Sequence, residues 1–296
     1  MKWRRYRILY LMLAPVLLYY FLFSYVPIHG LLIAFKDYNV FDGVWGSSWV
    51  GLDVFRDIMS DDYFWQTAGN TVMISMYKIV FGFPLPIILA LMLNEMLHLR
   101  TKRVIQTIIY LPHFISWVII GGLVIAFLSP STGVINHLIA LFGGEPIYFM
   151  LEQSYFRSIV VLSDIWKNVG WGTIIYIAAI ASVNPELYEA AVMDGAGKGR
   201  QAWHITLPGI RSIVVMMFIL AISGILNAGF DQIFVLYNPL VMDVGDIIDT
   251  YVYRTGLQNA KYSYATAIGL FKSVIGFALI LLADRLAKQF GERGII

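Results

Sequence analysis

The 296 residues are 59% hydrophobic and 14% charged, with mean hydropathy +0.71 and a formal net charge of +2. A soluble domain carries about 45–50% apolar and about 25% charged residues, so this excess exceeds what one soluble core can hide and lipid must solvate much of the chain. The lack of cysteine excludes disulfides, thiolate metal sites and a cysteine nucleophile, and the near-balanced charge gives no reason to expect a nucleic-acid partner.

A helix that crosses a bilayer needs roughly 20 mostly apolar residues. Six stretches meet that length, at about 8–35, 71–97, 104–128, 158–183, 213–236 and 266–286. The expected fold class is therefore all-α: a polytopic membrane protein of six transmembrane helices forming a single domain, 1–296. The first stretch follows the basic Lys2, Arg4, Arg5 and Arg7. Its apolar run exceeds the roughly 7–15 residues of a secretory signal, and no small-x-small cleavage site follows, so an uncleaved helix is expected, with an extra turn or short re-entry after Pro27. From 27 to 67, Trp45, Trp49 and Trp65 are spaced among Asp37, Asp42, Asp53, Asp57, Asp61 and Asp62. That composition predicts a surface-lying exterior stretch with tryptophans as interfacial anchors. Pro84 and Pro86 interrupt the second span and Pro112 the third, breaks that neighbouring helices make tolerable. No internal repeat or low-complexity tract is visible.

Lys and Arg set the orientation. Lys2, Arg4, Arg5, Arg7, Arg100, Lys102, Arg103, Lys198, Arg200, Arg211, Arg285, Lys288 and Arg293 fall on one side; they are most of the 21 basic residues. The opposite loops hold only Lys36, Arg56, Arg157, Arg254 and Lys261. Both termini and the loop 184–210 are therefore expected in the cytoplasm.

In that loop, Asn184-Pro185-Glu186 predicts a helix start: a capping side chain, a proline at the first helical position and an acid near the positive end of the dipole. Leu187, Ala190 and Ala191 then share one face at i, i+3, i+4. Gly195, Gly197 and Gly199 are expected to stop this helix. A second short helical run is expected to reach 205–207 and to end at Pro208. A short amphipathic helix lying parallel to the membrane, held between two spans by a glycine turn, can sit in a groove of another protein and pass a push to both spans. Gly195-Ala196-Gly197-Lys198-Gly199 is not a phosphate-binding loop, because Val192 stands where that pattern needs glycine and Gly199 where it needs Ser or Thr. The chain thus shows no nucleotide site.

Glu189-Ala190-Ala191, Gly195, and Ile205-Thr206-Leu207-Pro208 nine residues later, resemble the signature loop of bacterial ABC-importer permeases at every fixed position. Ala34-Phe35-Lys36-Asp37-Tyr38-Asn39, Trp49-Val50-Gly51-Leu52 and Leu111-Pro112-His113-Phe114-Ile115-Ser116-Trp117 look like the carbohydrate-uptake branch. More narrowly, they are similar to permeases that import oligosaccharides derived from polysaccharides such as alginate or pectin. The resemblance covers essentially the whole chain. It implies the type I importer permease fold in the bacterial cytoplasmic (inner) membrane. The implied partners are a second permease of a different chain, two ATPase subunits, and an extracytoplasmic solute-binding protein that delivers the oligosaccharide. ATP and magnesium are then bound by the ATPase, and this chain binds no cofactor and performs no catalysis. The loop becomes the coupling element, with Glu189, Ala190, Ala191, Asp194, Gly195, Ile205, Leu207 and Pro208 as its residues. In that role Glu189 anchors electrostatically, the alanine face permits close approach and Gly195 sets the turn.

Ionisable residues inside spans are functional candidates: Lys78, Asp164, Lys167 and Lys272, with Glu95 near a helix end. Asp164 and Lys167, three apart, are expected to pair on one helix face or to snorkel. A translocated sugar needs hydrogen-bond partners and a flat apolar surface. The candidates are Trp117, Trp166, Asn168, Trp171, Asn227, Asp231 and Gln232, with Asn227 and Asp231 expected on one face of the fifth span. Two rivals have weaker support. A secondary transporter driven by an ion gradient calls for inverted repeats and paired embedded acids, and neither is visible. A membrane-embedded enzyme or a scaffold subunit calls for a convergent cluster, whereas His29, His98, His113, His137 and His204 are scattered.

Overall fold

The computed structural model describes residues 6–289; Lys2, Arg4, Arg5 and Arg293 of the charge count lie outside them. The described residues are overwhelmingly helical. In chain order the main helices are α1 (Arg7–Phe35), α2 (Asp62–Asn94), α3 (Leu99–Phe114), α4 (Trp117–Leu128), α5 (Gln153–Ile180), α6 (Pro185–Met193), α7 (Lys198–Gly209), α8 (Arg211–Ser223), α9 (Phe230–Leu236) and α10 (Tyr262–Gln289). They divide between two compact units, one of Met1–Asp62 with Val252–Ser273, the other of Tyr63–Tyr251 with Val274–Ile296.

In the first unit, α1 starts as an α-helix, loosens to a π-helix at Phe21–Tyr25 and tightens to a 3₁₀-helix at Val26–Phe35, where Pro27 stands in the first turn. No residue of its α-helical part is buried. The stretch 36–61 folds more than the sequence indicates. Strands β1 (Lys36–Asp37) and β2 (Ser48–Trp49) pair antiparallel, and Phe35 stacks on Trp49 with ring centroids 5.7 Å apart. The Lys36 ammonium turns inward and donates to the carbonyls of Trp45 and Ser47. Tyr38 N–H donates to Ser263 Oγ (3.0 Å) and Tyr264 O–H to Asp61 Oδ2 (2.7 Å), fastening this segment to the start of α10.

The second unit is organised around α2 and α5. α2 begins at Asp62, earlier than the hydropathy implies, because a polar first turn precedes the apolar run; a π-helical turn at Lys78–Gly82 leads into Pro84. Ile74, Phe156, Val160, Ala228, Ile233 and Leu236 form one buried cluster. Ala90, Tyr176, Ile180 and Ile210 form another, with Val183 and Leu207 packed against it. Two glycines of α5 let neighbours approach: a Cβ on Gly172 would meet Pro86 at 3.0 Å, and one on Gly170 would lie 1.9 Å from the Ile109 carbonyl oxygen. Because the obstacle at Gly170 is backbone, Gly170→Ala is expected to lower stability by about 1–3 kcal/mol. Gly69→Ala, where a Cβ meets nothing within 4 Å, is expected to be neutral or stabilising. Thermal midpoints in detergent compare the two.

Two expected spans are broken. The third is α3 plus α4, bent by 103°. Pro112 sits in a 3₁₀ turn, Ile115 is extended, and Ser116 caps α4 by accepting from Ile119 N–H. The fifth stops at Ser223, passes through an irregular stretch in which Gly229 has φ +98°, and resumes only as the seven-residue α9. Asn227 therefore lies in a break, and the face it was expected to share with Asp231 does not exist. Among the described residues three helices, Arg7–Phe35, Asp62–Asn94 and Tyr262–Leu286, are long and apolar enough to cross a membrane, or up to five if each bent pair, α3 with α4 and α7 with α8 (65°), is one span. α5 is continuous over 28 residues but carries Arg157, Asp164 and Lys167, which lower its hydropathy.

Candidate functional site

Two places in the second unit concentrate functional chemistry. The first is 184–210. Asn184 Oδ1 accepts from Glu186 N–H (3.1 Å), and Pro185 occupies the first turn of α6. At the other end Ala196 N–H reaches the Ala191 carbonyl at 2.8 Å and Gly195 N–H that of Val192 at 3.0 Å. Gly195 has φ +75°, so α6 closes with a left-handed glycine cap. Gly197 and Gly199 do not share that conformation: Gly197 caps α7 with extended backbone and Gly199 lies within it. α7 also runs through Pro208 to Gly209: a π-helical turn at Ala202–Thr206 precedes the proline, which opens the last segment, Leu207–Gly209.

α6 has no buried residue. Glu189, Ala190 and Asp194 are exposed, Ala191 is half-buried, and Met193 is 87% exposed. Underneath, Tyr188 Oη bonds Thr206 Oγ1 (2.9 Å), and buried Gln201 donates to the Ala196 carbonyl (2.8 Å). Lys198 pairs with Glu95 at 3.0 Å. Ile205 and Leu207 are half-buried, Leu207 against the Tyr176–Ile180 cluster, and Pro208 is exposed. α6, with its open apolar and acidic face, is thus bonded to α7, which is tied to Glu95 after α2 and packed against the cluster on α5.

The second place is a polar network inside the helices. Asp164 does not pair with Lys167. Its Oδ1 accepts from Lys78 Nζ at 3.1 Å and from Asn168 Nδ2 at 3.2 Å. Lys78 also donates to the Ala228 carbonyl (2.8 Å) and Gln232 Oε1 (2.6 Å), which uses all three of its protons. Lys167 does not snorkel. It is buried and donates to the carbonyls of Pro112, His113 and Ile115 at the 103° bend. Its ammonium lies 5.4 Å from the Trp117 ring centroid. Trp171 stacks on His113 at 4.5 Å, and His113 Nδ1 meets Asn168 Oδ1 at 3.1 Å.

Trp117, Asn168 and Trp171 are thereby brought together at the bend. Trp166 lies apart, on an apolar cavity of about 400 Å³ lined by Ile120, Phe127 and Leu162. Gln232 is fully buried, and its amide donates to the Val160 carbonyl and Ser163 Oγ, so its polar atoms are committed internally. Asn227 and Asp231 are exposed. Sequence reasoning missed His113 and Ser163 as members of this network; His113 stands within the motif Leu111–Trp117, whereas no local signal marks Ser163. Among the described residues no cluster of three or more His, Asp or Glu could hold a metal ion.

The chain belongs to the family described as binding-protein-dependent transport system inner membrane component, whose model matches residues 82–292. It is 49% identical over 287 residues to Protein LplB of Bacillus subtilis (strain 168), covering 97% of this chain and 90% of that protein. It is 48% identical to the polygalacturonan/rhamnogalacturonan transport system permease protein YteP of the same organism, covering 97% and 89%. A crystal structure of a bacterial alginate ABC transporter, in complex with an alginate pentasaccharide-bound periplasmic protein, contains a chain that matches with a TM-score of 0.92 and 40% identity, covering 99% of this chain and 98% of that one. The protein is the membrane-embedded, non-enzymatic permease component of an ABC transporter.

Proposed function

We propose that this permease carries oligosaccharides, fragments of acidic plant or algal polysaccharides, inward across the bacterial cytoplasmic membrane. It crosses that membrane six times with both termini in the cytoplasm, the spans being α1, α2, the bent pair α3 and α4, α5, α8 with the stretch that follows it, and α10, and forms one permease domain over 1–296. A second permease, a different chain, completes the pathway. Two ATPase subunits bind ATP and magnesium below, and an extracytoplasmic binding protein delivers the sugar above. The segment 184–210 is the coupling loop.

The observation that carries this reading is the construction of α6. It is capped at both ends by its own sequence, open along its outer face, and bonded from beneath to α7. Closure of the ATPases on ATP moves α6. Leu207, Ile210, Tyr176 and Ala90 lie in one packed cluster, so the push reaches α8, α5 and α2 together. Glu189 and Asp194 meet the ATPase electrostatically, and Ala190 and Ala191 permit close approach. The test is ATP hydrolysis by the purified complex. It is expected to rise when binding protein loaded with oligogalacturonate or an alginate oligosaccharide is added, and this chain purified alone is expected to hydrolyse nothing. Hydrolysis by the isolated chain would refute the division of labour.

A further inference from the structure

α3 opens with a concentration of positive charge that the rest of the chain does not neutralise. Arg100, Lys102 and Arg103 stand in its opening turns, and no acid accompanies them in the first turn. Among the described residues none of the three side chains makes an ion pair or a hydrogen bond. Glu95, the nearest acid along the chain, is taken by Lys198 at 3.0 Å. The helix dipole is positive at this end, so cations here oppose it as well as one another. Lys102 is half-buried, whereas Arg100 and Arg103 are exposed. The two arginines head a column of apolar side chains. Arg100, Val104, Ile108 and Leu111 follow one another at i, i+4, i+8 and i+11, and Arg103 lies on the same side. Val104 is 58% exposed, Ile108 63% and Leu111 59%. Ile109, on the opposite face, is the residue whose carbonyl lies against Gly170 of α5, so the column is turned away from that helix.

Charge and length narrow the occupant. Side chains on a helix lean toward its N-terminus, so both guanidiniums reach back past Val104 to the level where headgroups begin. From Arg100 to Leu111 the helix advances about 16 Å at 1.5 Å per residue. Half of a hydrocarbon core roughly 30 Å thick is about 15 Å, so the column is as deep as one leaflet. Two cations above an apolar column of that depth match a phospholipid of net negative charge, whose phosphate oxygens can take guanidinium protons in pairs. A zwitterionic lipid brings its own ammonium and leaves the arginine charge uncompensated. A soluble anion would leave the column bare, and an ATPase subunit outside the bilayer could meet the arginines without covering Ile108 or Leu111.

We propose that the outer face of α3 is a binding site for an anionic phospholipid of the cytoplasmic leaflet. Arg100 and Arg103 hold its phosphate, and one acyl chain lies along Val104, Ile108 and Leu111. The bound lipid neutralises charge that the helix dipole disfavours. It also fixes the start of a helix whose far end enters the bend held by Lys167. The leaflet follows from the reading of this side as cytoplasmic; the match between the two cations and an anionic headgroup does not depend on it.

The test uses the complete transporter in nanodiscs of phosphatidylcholine that contain a small fraction of photoactivatable lipid. That lipid carries a diazirine in one acyl chain and either a phosphatidylglycerol or a phosphatidylcholine headgroup. After illumination, the labelled residues of this chain are read by peptide mass spectrometry. Both leaflets of a nanodisc hold the same lipids, so the result is independent of orientation and of transport, and the reading of the chain as an oligosaccharide permease stands or falls separately. The phosphatidylglycerol analogue is expected to label 104–111 about tenfold or more above the phosphatidylcholine analogue, the combined effect of two arginines near a headgroup. Arg100→Gln/Arg103→Gln is expected to abolish that preference, and Arg100→Lys/Arg103→Lys to keep most of it. Equal labelling by the two analogues in the unsubstituted transporter means ordinary boundary lipid and overturns the site. Labelling of 104–111 by neither analogue means that a neighbouring subunit covers this face, and overturns it too. The comparison of headgroups needs no substitution, so it decides even if the glutamine variant fails to assemble. An unchanged preference in an assembled glutamine variant overturns the assignment to Arg100 and Arg103.

Discussion

Gly195→Asp is expected to lower ATP-driven uptake at least about a hundredfold while the amount of protein in the membrane stays at the wild-type level. A Cβ at Gly195 meets nothing within 4 Å, and Asp is among the residues that tolerate a positive φ. The chain therefore accommodates the substitution at a cost of about 1–2 kcal/mol at most. What changes is the surface that α6 and its cap present. A carboxylate placed in a docked interface without a partner costs about 2–5 kcal/mol, which is a factor of about 30 to several thousand in affinity. Because the substitution has no steric consequence within this chain, loss of uptake at normal abundance locates the defect in a contact with another subunit. Membrane abundance by immunoblot, uptake of labelled oligosaccharide, and co-purification of the ATPase distinguish the alternatives. Full uptake in Gly195→Asp would remove the coupling role from this loop.

The second large effect is expected at Lys78. Lys78→Met strips one partner from Asp164 and leaves Gln232 Oε1 and the Ala228 carbonyl without their donor. Breaking a buried pair from one side costs about 3–5 kcal/mol, whereas replacing both partners with apolar side chains is often close to neutral. Lys78→Met is accordingly expected to lower the thermal midpoint sharply, and Lys78→Met/Asp164→Leu is expected to recover at least half of the loss. Additive losses in the double variant would show that the two groups do not interact. The network has a position suited to function as well as stability, since it joins the π-helical turn of α2, the middle of α5 and the break before α9.

What was legible in the sequence was local. The cap at Asn184, the proline behind it and the glycine at 195 are read from neighbours within a turn, and each occurs where expected. The chemistry that selects those residues acts over three or four positions. The hydrophobic runs likewise located the helices, though not their ends: the first turns of α2 and α5 are polar and carry no hydropathy signal. The breaks were partly visible. Pro112 marks the third span as interrupted, but the carbonyls at the 103° bend take a donor from Lys167, more than 50 residues away. The pairing of Asp164 with Lys78 spans 86 residues and outcompetes the nearby Lys167 for the same reason. Spacing along one helix cannot report a partner on another. The break at Gly224–Gly229 was hidden because its neighbours Ile225, Leu226 and Ala228 are as apolar as a helix, and only Gly229 requires the left-handed backbone.

The claim that force enters through α6 and drives a sugar inward is tested most directly by uptake into proteoliposomes holding the complete complex. The binding protein and labelled oligosaccharide are outside, and the nucleotide is sealed inside. Accumulation against a gradient is expected with internal ATP, and none with a proton or sodium gradient in its place. Accumulation driven by the ion gradient alone, without ATP, would contradict the account.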